Sequence, residues 1–218
     1  MPVASFIAVL PLLVACQSTP DENTGPPDDQ PIIDTTPGAV VYELDTSASV
    51  TDLIFTGVGT TGPQSGTWDS WNVQVTRELD ADSEEMEGLE GLQIQLVVDA
   101  TTVSTSIDAL TNHLKTDDFF DVDNFPEAGF ASTSITHIEG DSYQVTGEMT
   151  LRGTTAAHSF EATIEELDYA IHTTAEMTFS RFDYGLHDGG GTDADSVGPG
   201  ANEVTLTYDV TLAMLMTL

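Results

Sequence analysis

Basic side chains are scarce in this 218-residue sequence. Four Lys and Arg residues stand against 37 Asp and Glu residues, and the formal net charge at pH 7 is −33. Proteins that bind nucleic acid or an anionic lipid surface use clustered Lys and Arg to replace counterions. The composition therefore argues against an electrostatic phosphate binder and predicts no nucleic-acid partner. Because 39% of the residues are hydrophobic, the chain still has enough apolar material for one folded core beneath an acidic surface.

Cysteine is nearly absent as well, since Cys16 is the one cysteine of the chain. A single cysteine excludes an intramolecular disulfide and any metal site built from several cysteines. Cys16 follows an apolar run, residues 4–15, which is too short to span a bilayer and has the length of a signal-peptide apolar region. The run ends in Leu-Val-Ala-Cys, the arrangement of a bacterial lipobox. It predicts a lipoprotein signal peptide over residues 1–15 and a lipid-modified Cys16. No Lys or Arg precedes the run, so an ordinary secretory signal with an incidental cysteine is the alternative.

Prolines and acidic residues dominate the next segment, residues 16–39. Five of the ten prolines and five acids lie in this segment, with almost no apolar periodicity. Pro-rich polar segments stay extended and solvated, so we expect a disordered, lipid-anchored linker before a folded domain of residues 40–218. Gln17 stands where an aspartate commonly retains lipoproteins at the inner membrane. The expected location is therefore the cell envelope, on the periplasmic face of the outer membrane, with the membrane bound through the N-terminal lipid.

Apolar residues alternate with polar ones through most of the folded domain. This period of two residues predicts β-strands with one buried face and one solvent-exposed face. Earlier strands are expected near residues 40–44, 52–56 and 68–79, and the clearest alternation covers residues 92–98, 143–151, 158–164, 169–179 and 204–214. Turn signals at residues 139–141 and 152–154 indicate an antiparallel meander. About eight or nine strands are expected, and closure into a barrel would remove their unpaired edges. An eight-stranded interior can be filled by side chains or can hold one small ligand.

One segment breaks this period and predicts a short amphipathic helix over residues 106–115. Ile107, Leu110 and Leu114 stand at helical spacing, and Ser106 is a candidate N-cap. The aromatic residues Phe119, Phe120 and Phe125 follow directly. We expect these rings to close one end of the barrel, and contact with a ligand is the alternative.

Signals for catalysis and for metal binding are weak. No G-x-S-x-G turn is present, and the five histidines are dispersed without an H-x-H or H-E-x-x-H pair. His158 and Phe160 are two residues apart in the same predicted strand, so both side chains are expected to face the barrel interior. Asp188, Asp193 and Asp195 lie among glycines and could ligate Ca²⁺, but the spacing is not that of an EF-hand, so a solvated loop is the preferred interpretation. The acidic run over residues 78–91 is interpreted in the same way. The sequence thus predicts no enzyme, no catalytic cofactor and no metal site.

Several ordered motifs resemble the YceI-like family. They are DDFFD at residues 117–121, VTGEMTLRGTT at residues 145–155, RFDYG at residues 181–185 and VVYELDTSASV at residues 40–50. The resemblance implies an all-β, lipocalin-like, eight-stranded antiparallel barrel whose members bind isoprenoid quinones or polyprenyl lipids in an elongated apolar tunnel, usually in the periplasm. The sequence departs from the family in its second strand, where a Lys and a His are both missing. Trp68 and Trp71 occupy family aromatic positions, and their bulk could narrow the cavity.

The inward alternation and the resemblance together predict a single dry tunnel that binds an isoprenoid quinone or a polyprenyl lipid. The expected lining residues are Leu96, Val98, Phe130, Met149, Phe160, Met177, Phe179, Tyr208 and Val210. We expect carriage or storage of the lipid without chemistry. The alternative is an envelope interaction or stress module that uses the acidic outer face without a bound lipid, and the sequence leaves a homodimer open.

A gate to this tunnel is expected at the helix and the Phe119/Phe120 pair. His113 and Lys115 lie at the end of the helix and are candidate donors to a lipid head group. Their alternative role is a favourable interaction with the helix dipole.

Overall fold

The computed structural model of the protein describes residues 39–44, 51–59, 62–78, 88–186 and 202–215. These residues form eleven strands and one α-helix, α1 (Asp108–Lys115), which lies between β6 and β7. The strands are β1 (Ala39–Leu44), β2 (Thr51–Gly59), β3 (Gly62–Trp68), β4 (Trp71–Glu78), β5 (Leu92–Asp99), β6 (Val103–Thr105), β7 (Glu127–Glu139), β8 (Ser142–Leu151), β9 (Thr154–Leu167), β10 (Ala170–Ser180) and β11 (Glu203–Leu215). Among the helices of these ranges, none has the length and apolar character to cross a membrane.

Several predicted features lie outside the described residues. These are the signal peptide, Cys16, the linker up to residue 38, most of the acidic run over residues 78–91, and the Asp-rich loop that holds Asp188, Asp193 and Asp195.

The strands close into an antiparallel barrel of eight positions. The ring runs β1–β4–β5–β7–β8–β9–β10–β11, and β11 pairs again with β1. Residues 212–215 of β11 pair with β1, whereas residues 204–210 pair with β2, so β1 and β2 occupy successive stretches of one barrel position. In the same way β3 pairs with β2 and β6, while β4 pairs with β1 and β5. The predicted eight-stranded antiparallel barrel with one short helix is therefore confirmed.

The strand predicted over residues 68–79 is present as β4, but its predicted start is wrong, because Trp68 ends β3 and the chain bends between the two strands. The Asp69 N–H donates to the Thr102 carbonyl at 3.3 Å, and the Asp99 N–H donates to the Ser70 carbonyl at 3.0 Å. On the neighbouring position, a 3₁₀ turn (Ala100–Thr102) separates β5 from β6. Two adjacent barrel positions therefore bend at the same height, which side-chain periodicity alone does not reveal.

The helix begins two residues later than predicted, and Ser106 does not cap it. Ile107 occupies the N-cap position and makes no side-chain capping bond. Thr105 stabilises the entry instead, since its Oγ1 accepts from the Ile107 N–H at 3.2 Å. The Thr105 N–H in turn donates to Thr111 Oγ1 at 3.0 Å, which ties the helix to the end of β6.

The two ends of the barrel differ. At one end, which we call the lid end, lie α1, the β8–β9 turn at Arg152 and Gly153, and a 3₁₀ turn (Arg181–Tyr184) after β10. At the opposite end, the hairpin end, lie the β7–β8 turn and the β9–β10 turn. Inward-facing residues alternate with outward-facing ones along the strands, as on β8, where every second residue from Tyr143 to Leu151 is buried.

Candidate functional site

An apolar cavity lies under the helix at the lid end of the barrel. Its space between atoms is about 1090 Å³, counted out to its open mouth. Most of its wall is aliphatic or aromatic, and Gln64, Thr150, Arg181 and Glu203 bring polar side chains. The apolar wall includes Leu53, Phe55, Val58, Trp68, Leu96, Val98, Leu110, Leu114, Phe119, Phe120, Ala128, Phe130, Met149, Leu151, Met177, Phe179, Leu186, Val204 and Leu206.

A second, deeper cavity continues the interior toward the hairpin end. It holds about 610 Å³ of space between atoms, again counted out to its opening. Its wall is formed by Leu53, Trp71, Val73, Val75, Ile94, Leu96, Phe130, Phe160, Thr173, Met177, Leu206, Tyr208, Val210 and Leu212.

The two cavities share five wall residues, which are Leu53, Leu96, Phe130, Met177 and Leu206. These side chains border both cavities, so the two chambers adjoin, and the predicted single tunnel stays a prediction. The Phe130 ring lies directly over Gly147, where an added Cβ would be 2.4 Å from Phe130 Cζ. Because Gly147 has no side chain, the Phe130 ring fits into the wall that the two chambers share. Methionine and leucine side chains change rotamer readily, so a guest can join the chambers without moving a strand.

All nine residues predicted to line the interior lie on these walls. Val98, Met149 and Phe179 face the lid-end cavity, and Phe160, Tyr208 and Val210 face the deep cavity, while the remaining three belong to the shared wall. Their contact with a lipid stays a prediction. Sequence parity missed the contributions of β2 and β4, whose interior residues Leu53, Phe55 and Val73 also line the chambers.

The segment after α1 covers the lid-end cavity with aromatic rings. Phe120 is buried, and its ring centroid lies 6.2 Å from that of Trp68 and 6.4 Å from that of Phe55. Phe119 packs edge-on against Phe120 at 5.0 Å. Leu114 reaches the same wall from α1, so the expected gate elements do lie at the cavity.

His113 and Lys115 lie outside the lining of both cavities. The His113 ring centroid lies 6.5 Å from that of Phe119. The predicted contact of these two residues with a head group stays a prediction, and Arg181 is the cationic side chain that the described wall presents instead.

Arg181 is buried at the lid end, an arrangement the sequence analysis did not single out. Its side chain is 6% exposed and lies against the larger cavity, with the guanidinium carbon 5.2 Å from the centre of the Phe182 ring. Arg181 belongs to the RFDYG motif. The resemblance to the family therefore pointed to this position, whereas side-chain periodicity did not.

Arg152 connects the lid segment to the turn that carries Arg181. Its Nη2 donates to the Asp117 carbonyl oxygen at 2.6 Å, and its Nη1 donates to the Gly185 carbonyl oxygen. Both acceptors belong to surface loops at the lid end. A single guanidinium thereby holds the end of the lid against the 3₁₀ turn.

His158 faces the interior side of β9, as its parity predicts, but it does not line either cavity. Its Nε2 lies 2.6 Å from the Tyr184 hydroxyl, and the two rings are stacked with centroids 6.0 Å apart. Burial lowers the pKa of His158, and the nearby Asp183 acts in the opposite direction. Burial likewise raises the pKa of Tyr184 to about 12. At neutral pH the pair is an uncharged packing element beside the cavity.

Within the described ranges, no group of three or more His, Cys, Asp or Glu side chains converges on a site for a metal ion.

The sequence and fold can now be compared with known proteins. A sequence model of the YceI-like domain matches residues 42–212, which cover nearly the whole barrel. The protein belongs to the YceI-like family. Among its YceI-like relatives, the protein YceI of Shigella flexneri is 33% identical over 70 residues, which are 32% of this chain and 36% of the relative. A UPF0312 protein of Pseudomonas putida is 30% identical over 110 residues, which are 46% of this chain and 50% of the relative. The matched stretch thus spans half or less of these relatives.

Two solved structures superpose on this barrel. BcnA of Burkholderia cenocepacia superposes with a TM-score of 0.57 at 18% identity, covering 79% of this chain and 95% of that protein. A polyisoprenoid-binding domain from Saccharophagus degradans, described as implicated in plant cell wall breakdown, gives a TM-score of 0.56 at 17% identity, covering 80% of this chain and 98% of the domain. At these identities the likeness establishes the shared fold.

Proposed function

We propose that this YceI-like protein binds an isoprenoid lipid inside its barrel and carries or stores it at the bacterial cell envelope without chemical change. The observation that carries the proposal is the pair of apolar chambers that adjoin through a shared wall of five residues. Two chambers in line fit a long, flexible, branched hydrocarbon better than a compact solute. Family membership and the structural likeness to a polyisoprenoid-binding domain support this choice of lipid.

The physical driving force for binding is the removal of apolar surface from water. It requires only a cavity that fits the lipid chain and excludes water. Met149 and Met177 lie on the walls and can adapt to the branches of a prenyl chain. The lid formed by α1, Phe119 and Phe120 closes over the larger chamber and keeps water from the bound chain. No proton transfer or bond cleavage is required for carriage.

The decisive variant is Met177→Trp. Met177 belongs to the wall shared by both chambers, so the larger ring should fill the passage between them and abolish retention of the lipid. Met149→Trp alters the lid-end chamber alone and should reduce retention. Tyr169→Trp is the matched control, because Tyr169 is 70% exposed on the β9–β10 turn.

The measurement is co-elution of a labelled polyprenyl lipid with delipidated protein in size-exclusion chromatography. Circular dichroism verifies that each variant is folded. We expect retention by the wild type and by the Tyr169→Trp control, and loss in Met177→Trp. A folded Met177→Trp protein that retains as much lipid as the wild type would sink the proposal. A wild type that retains none would favour an interaction module acting through the acidic outer face.

The location follows from the sequence signal and belongs to the same proposal. Lipid attachment at Cys16 would tether the barrel to the periplasmic face of the outer membrane, near the isoprenoid lipids of the envelope. Three acyl chains, at about 0.8 kcal/mol for each buried CH₂ group, would hold it there without a membrane-spanning helix. Mass spectrometry of the mature protein tests this: an acylated Cys16 at the N-terminus is expected, and an unmodified Cys16 excludes the anchor.

A further inference from the structure

A histidine and a buried tyrosine anchor the 3₁₀ turn at the lid end. His158 Nε2 lies 2.6 Å from the Tyr184 hydroxyl, and Tyr184 is 1% exposed. Among the described residues, His158 is the hydrogen-bond partner of this hydroxyl. The Phe179 ring packs edge-on against both, with centroids 6.0 Å from that of His158 and 5.6 Å from that of Tyr184. Because Phe179 lines the lid-end chamber, these three rings support one side of that chamber.

The 3₁₀ turn connects this anchor to the lid segment. Gly185 directly follows Tyr184, and its carbonyl oxygen accepts a hydrogen bond from Arg152 Nη1. The other nitrogen of the guanidinium, Nη2, donates to the Asp117 carbonyl oxygen of the lid segment at 2.6 Å. The position of Gly185 depends on the turn, and burial of Tyr184 holds the turn in place. The lid segment is therefore linked to His158 through a series of three hydrogen bonds.

The turn between β8 and β9 is built for this link. Arg152 and Gly153 both have positive φ, 49° and 69°, as in the type I′ turn of a two-residue hairpin. A non-glycine residue adopts this region uncommonly, and here the turn directs the Arg152 side chain to its two carbonyl acceptors. Phe125 of the lid segment lies over Gly153, where an added Cβ would be 2.5 Å from Phe125 Cε1. The lid segment thus contacts this turn at two places.

The strands around the His158 ring bring apolar residues to it. Gly147 on β8 lies directly opposite His158. On the β10 side the ring meets Phe179. Ala156 and Phe160 are the neighbours of His158 on the inward face of β9. Surroundings of this kind disfavour a charged imidazolium.

The charged groups near His158 belong to the lid end. Asp183 on the 3₁₀ turn favours protonation of the ring. Arg181 lies on the same turn, and Arg152 bonds to the carbonyl oxygen that follows it. Tyr184 stays neutral, since burial raises its pKa to about 12. Burial is the larger influence on His158 and lowers the pKa of its ring in spite of Asp183.

A proton therefore binds more readily to His158 when the ring is exposed to water. A hydrated histidine titrates near pH 6.5, whereas burial lowers the pKa of His158 in the closed structure. Below about pH 6.5, proton uptake favours a state in which the ring leaves its apolar surroundings. The imidazolium also cannot accept a hydrogen bond from Tyr184, because both ring nitrogens then carry protons. Acidification thus weakens the anchor of the 3₁₀ turn.

We propose that His158, Tyr184 and Arg152 form a pH-sensitive latch on the lid. At neutral pH the contact of His158 with Tyr184 holds the 3₁₀ turn, and the turn holds the lid segment through Arg152. In mildly acidic surroundings His158 takes up a proton from solvent, the turn loosens, and the lid opens over the larger chamber. A guest is then retained at neutral pH and exchanged faster at low pH. The latch depends on the contacts at the lid end and not on the identity of the guest.

Opening of the lid is measured on Trp68, in protein that carries no guest. Trp68 is 8% exposed, lines the lid-end chamber and has its ring centroid 6.2 Å from that of Phe120 in the lid segment. The chain has two tryptophans, so a Trp71→Phe background leaves Trp68 as the fluorophore. Acrylamide, a neutral quencher, reaches this ring when the lid is open. We expect its quenching constant to rise about threefold to tenfold from about pH 7.5 to about pH 5, the effect of one lost hydrogen bond.

The variant His158→Gln tests whether this histidine is the origin of the response. A glutamine amide can bond to the Tyr184 hydroxyl but does not titrate, so we expect the rise in quenching to disappear. His137→Gln is the matched control, because His137 is exposed at the hairpin end, and it should keep the full rise. Circular dichroism at both pH values verifies that each protein is folded. An equal rise in His158→Gln and the wild-type background, or no rise in that background, would overturn the latch.

The variant Arg152→Met tests the connection between the turn and the lid. We expect a high quenching constant at both pH values, since the lid segment is then no longer tied to Gly185. A response to pH in Arg152→Met equal to that of the wild-type background would overturn the role of Arg152.

If His158→Gln does not fold, Arg152→Met and an NMR titration of the wild type still decide. A titration midpoint of His158 above about 6.5 would contradict the latch, because protonation would then favour the closed lid. These measurements use protein without a guest, so a failure to bind isoprenoid lipid would count against the proposed function alone. A lipid-binding protein without the expected response to pH would count against the latch alone.

Discussion

Arg77 Nη1 lies 2.6 Å from Glu166 Oε1, and this ion pair crosses the barrel interior from β4 to β9. The two strands are not neighbours in the sheet, so the bond links opposite parts of the wall at the hairpin end. Burial acts to lower the pKa of Arg77, but hydrogen bonds to Glu166 and Tyr42 raise it above its ordinary value. Neither residue belongs to the lining of the two chambers.

Removing the acceptor of this pair should destabilise the barrel. Arg77 is 5% exposed, so Glu166→Ala would leave a buried cation with fewer acceptors, and we expect a loss of about 1 to 3 kcal/mol in the free energy of unfolding. The Glu166 side chain is 41% exposed, which favours the lower part of that range. Urea denaturation measures the change. Glu165→Ala is the control, since that side chain is exposed and faces outward, and an equal loss in both variants would contradict the account.

The bridge formed by Arg152 should control the rate at which a lipid enters and leaves. Arg152→Met removes the bonds to the Asp117 and Gly185 carbonyls and leaves both chambers intact. We expect about a threefold to tenfold faster dissociation, from the loss of about 1 kcal/mol of lid stabilisation, with little change in equilibrium affinity. Stopped-flow displacement of a fluorescent prenyl lipid measures the rate. The dissociation rate of Arg152→Lys should lie between those of the wild type and Arg152→Met. An unchanged rate in Arg152→Met would show that the bridge formed by Arg152 does not control lipid exchange.

Gly147 should not tolerate a larger side chain. An added Cβ would lie 2.4 Å from the Ala131 carbonyl oxygen as well as from the Phe130 ring, and a backbone oxygen in a sheet cannot move aside. We expect Gly147→Ala to cost about 1 to 3 kcal/mol by overpacking and to shift Phe130 in the wall shared by the chambers. Thermal unfolding gives the loss, with Gly88→Ala as the control because nothing lies within 4 Å of its added Cβ. A Gly147→Ala protein as stable as the control would be incompatible with this packing.

Acidification should weaken the contribution of His158. Burial lowers its pKa in the folded protein, whereas in the unfolded chain it titrates near 6.5. As the pH falls, the unfolded chain therefore binds the proton first. The stabilisation by neutral His158 is complete above about pH 6.5 and is lost as the pH falls from there toward the lower folded pKa. We expect the stability difference between wild type and His158→Asn to shrink between about pH 7.5 and pH 5. An NMR titration midpoint for His158 above 6.5 would reverse the sign.

Side-chain alternation was sufficient to predict the barrel and the nine inward-facing lining residues, because parity within a strand fixes the face of each residue once one face is buried. It was not sufficient to locate bends. The turn at Asp69 and Ser70 depends on hydrogen bonds to Thr102 and Asp99, which are distant in sequence. The buried positions of β4, Val73, Val75 and Arg77, are out of step with Trp68, and the predicted strand over residues 68–79 joined Trp68 to β4 across this break.

The shape of the interior could not be predicted from sequence either. How far Phe130 and Met177 narrow the space between the two chambers depends on their rotamers and on the absence of a side chain at Gly147. The placement of His113 outside the lining has a similar reason. Helical spacing shows which residues share a face of α1, but which face packs on the barrel depends on the strands next to the helix. Here β6 holds the helix through the hydrogen bond between Thr105 and Thr111.

The most direct test of lipid binding is the content of the native protein. The protein would be purified without detergent from the organism that produces it, extracted with organic solvent and analysed by mass spectrometry. We predict an isoprenoid lipid in an amount stoichiometric with the barrel, absent from the Met177→Trp protein prepared in parallel. A wild-type barrel that yields no isoprenoid, whether it is empty or holds only straight-chain lipids, would contradict the account.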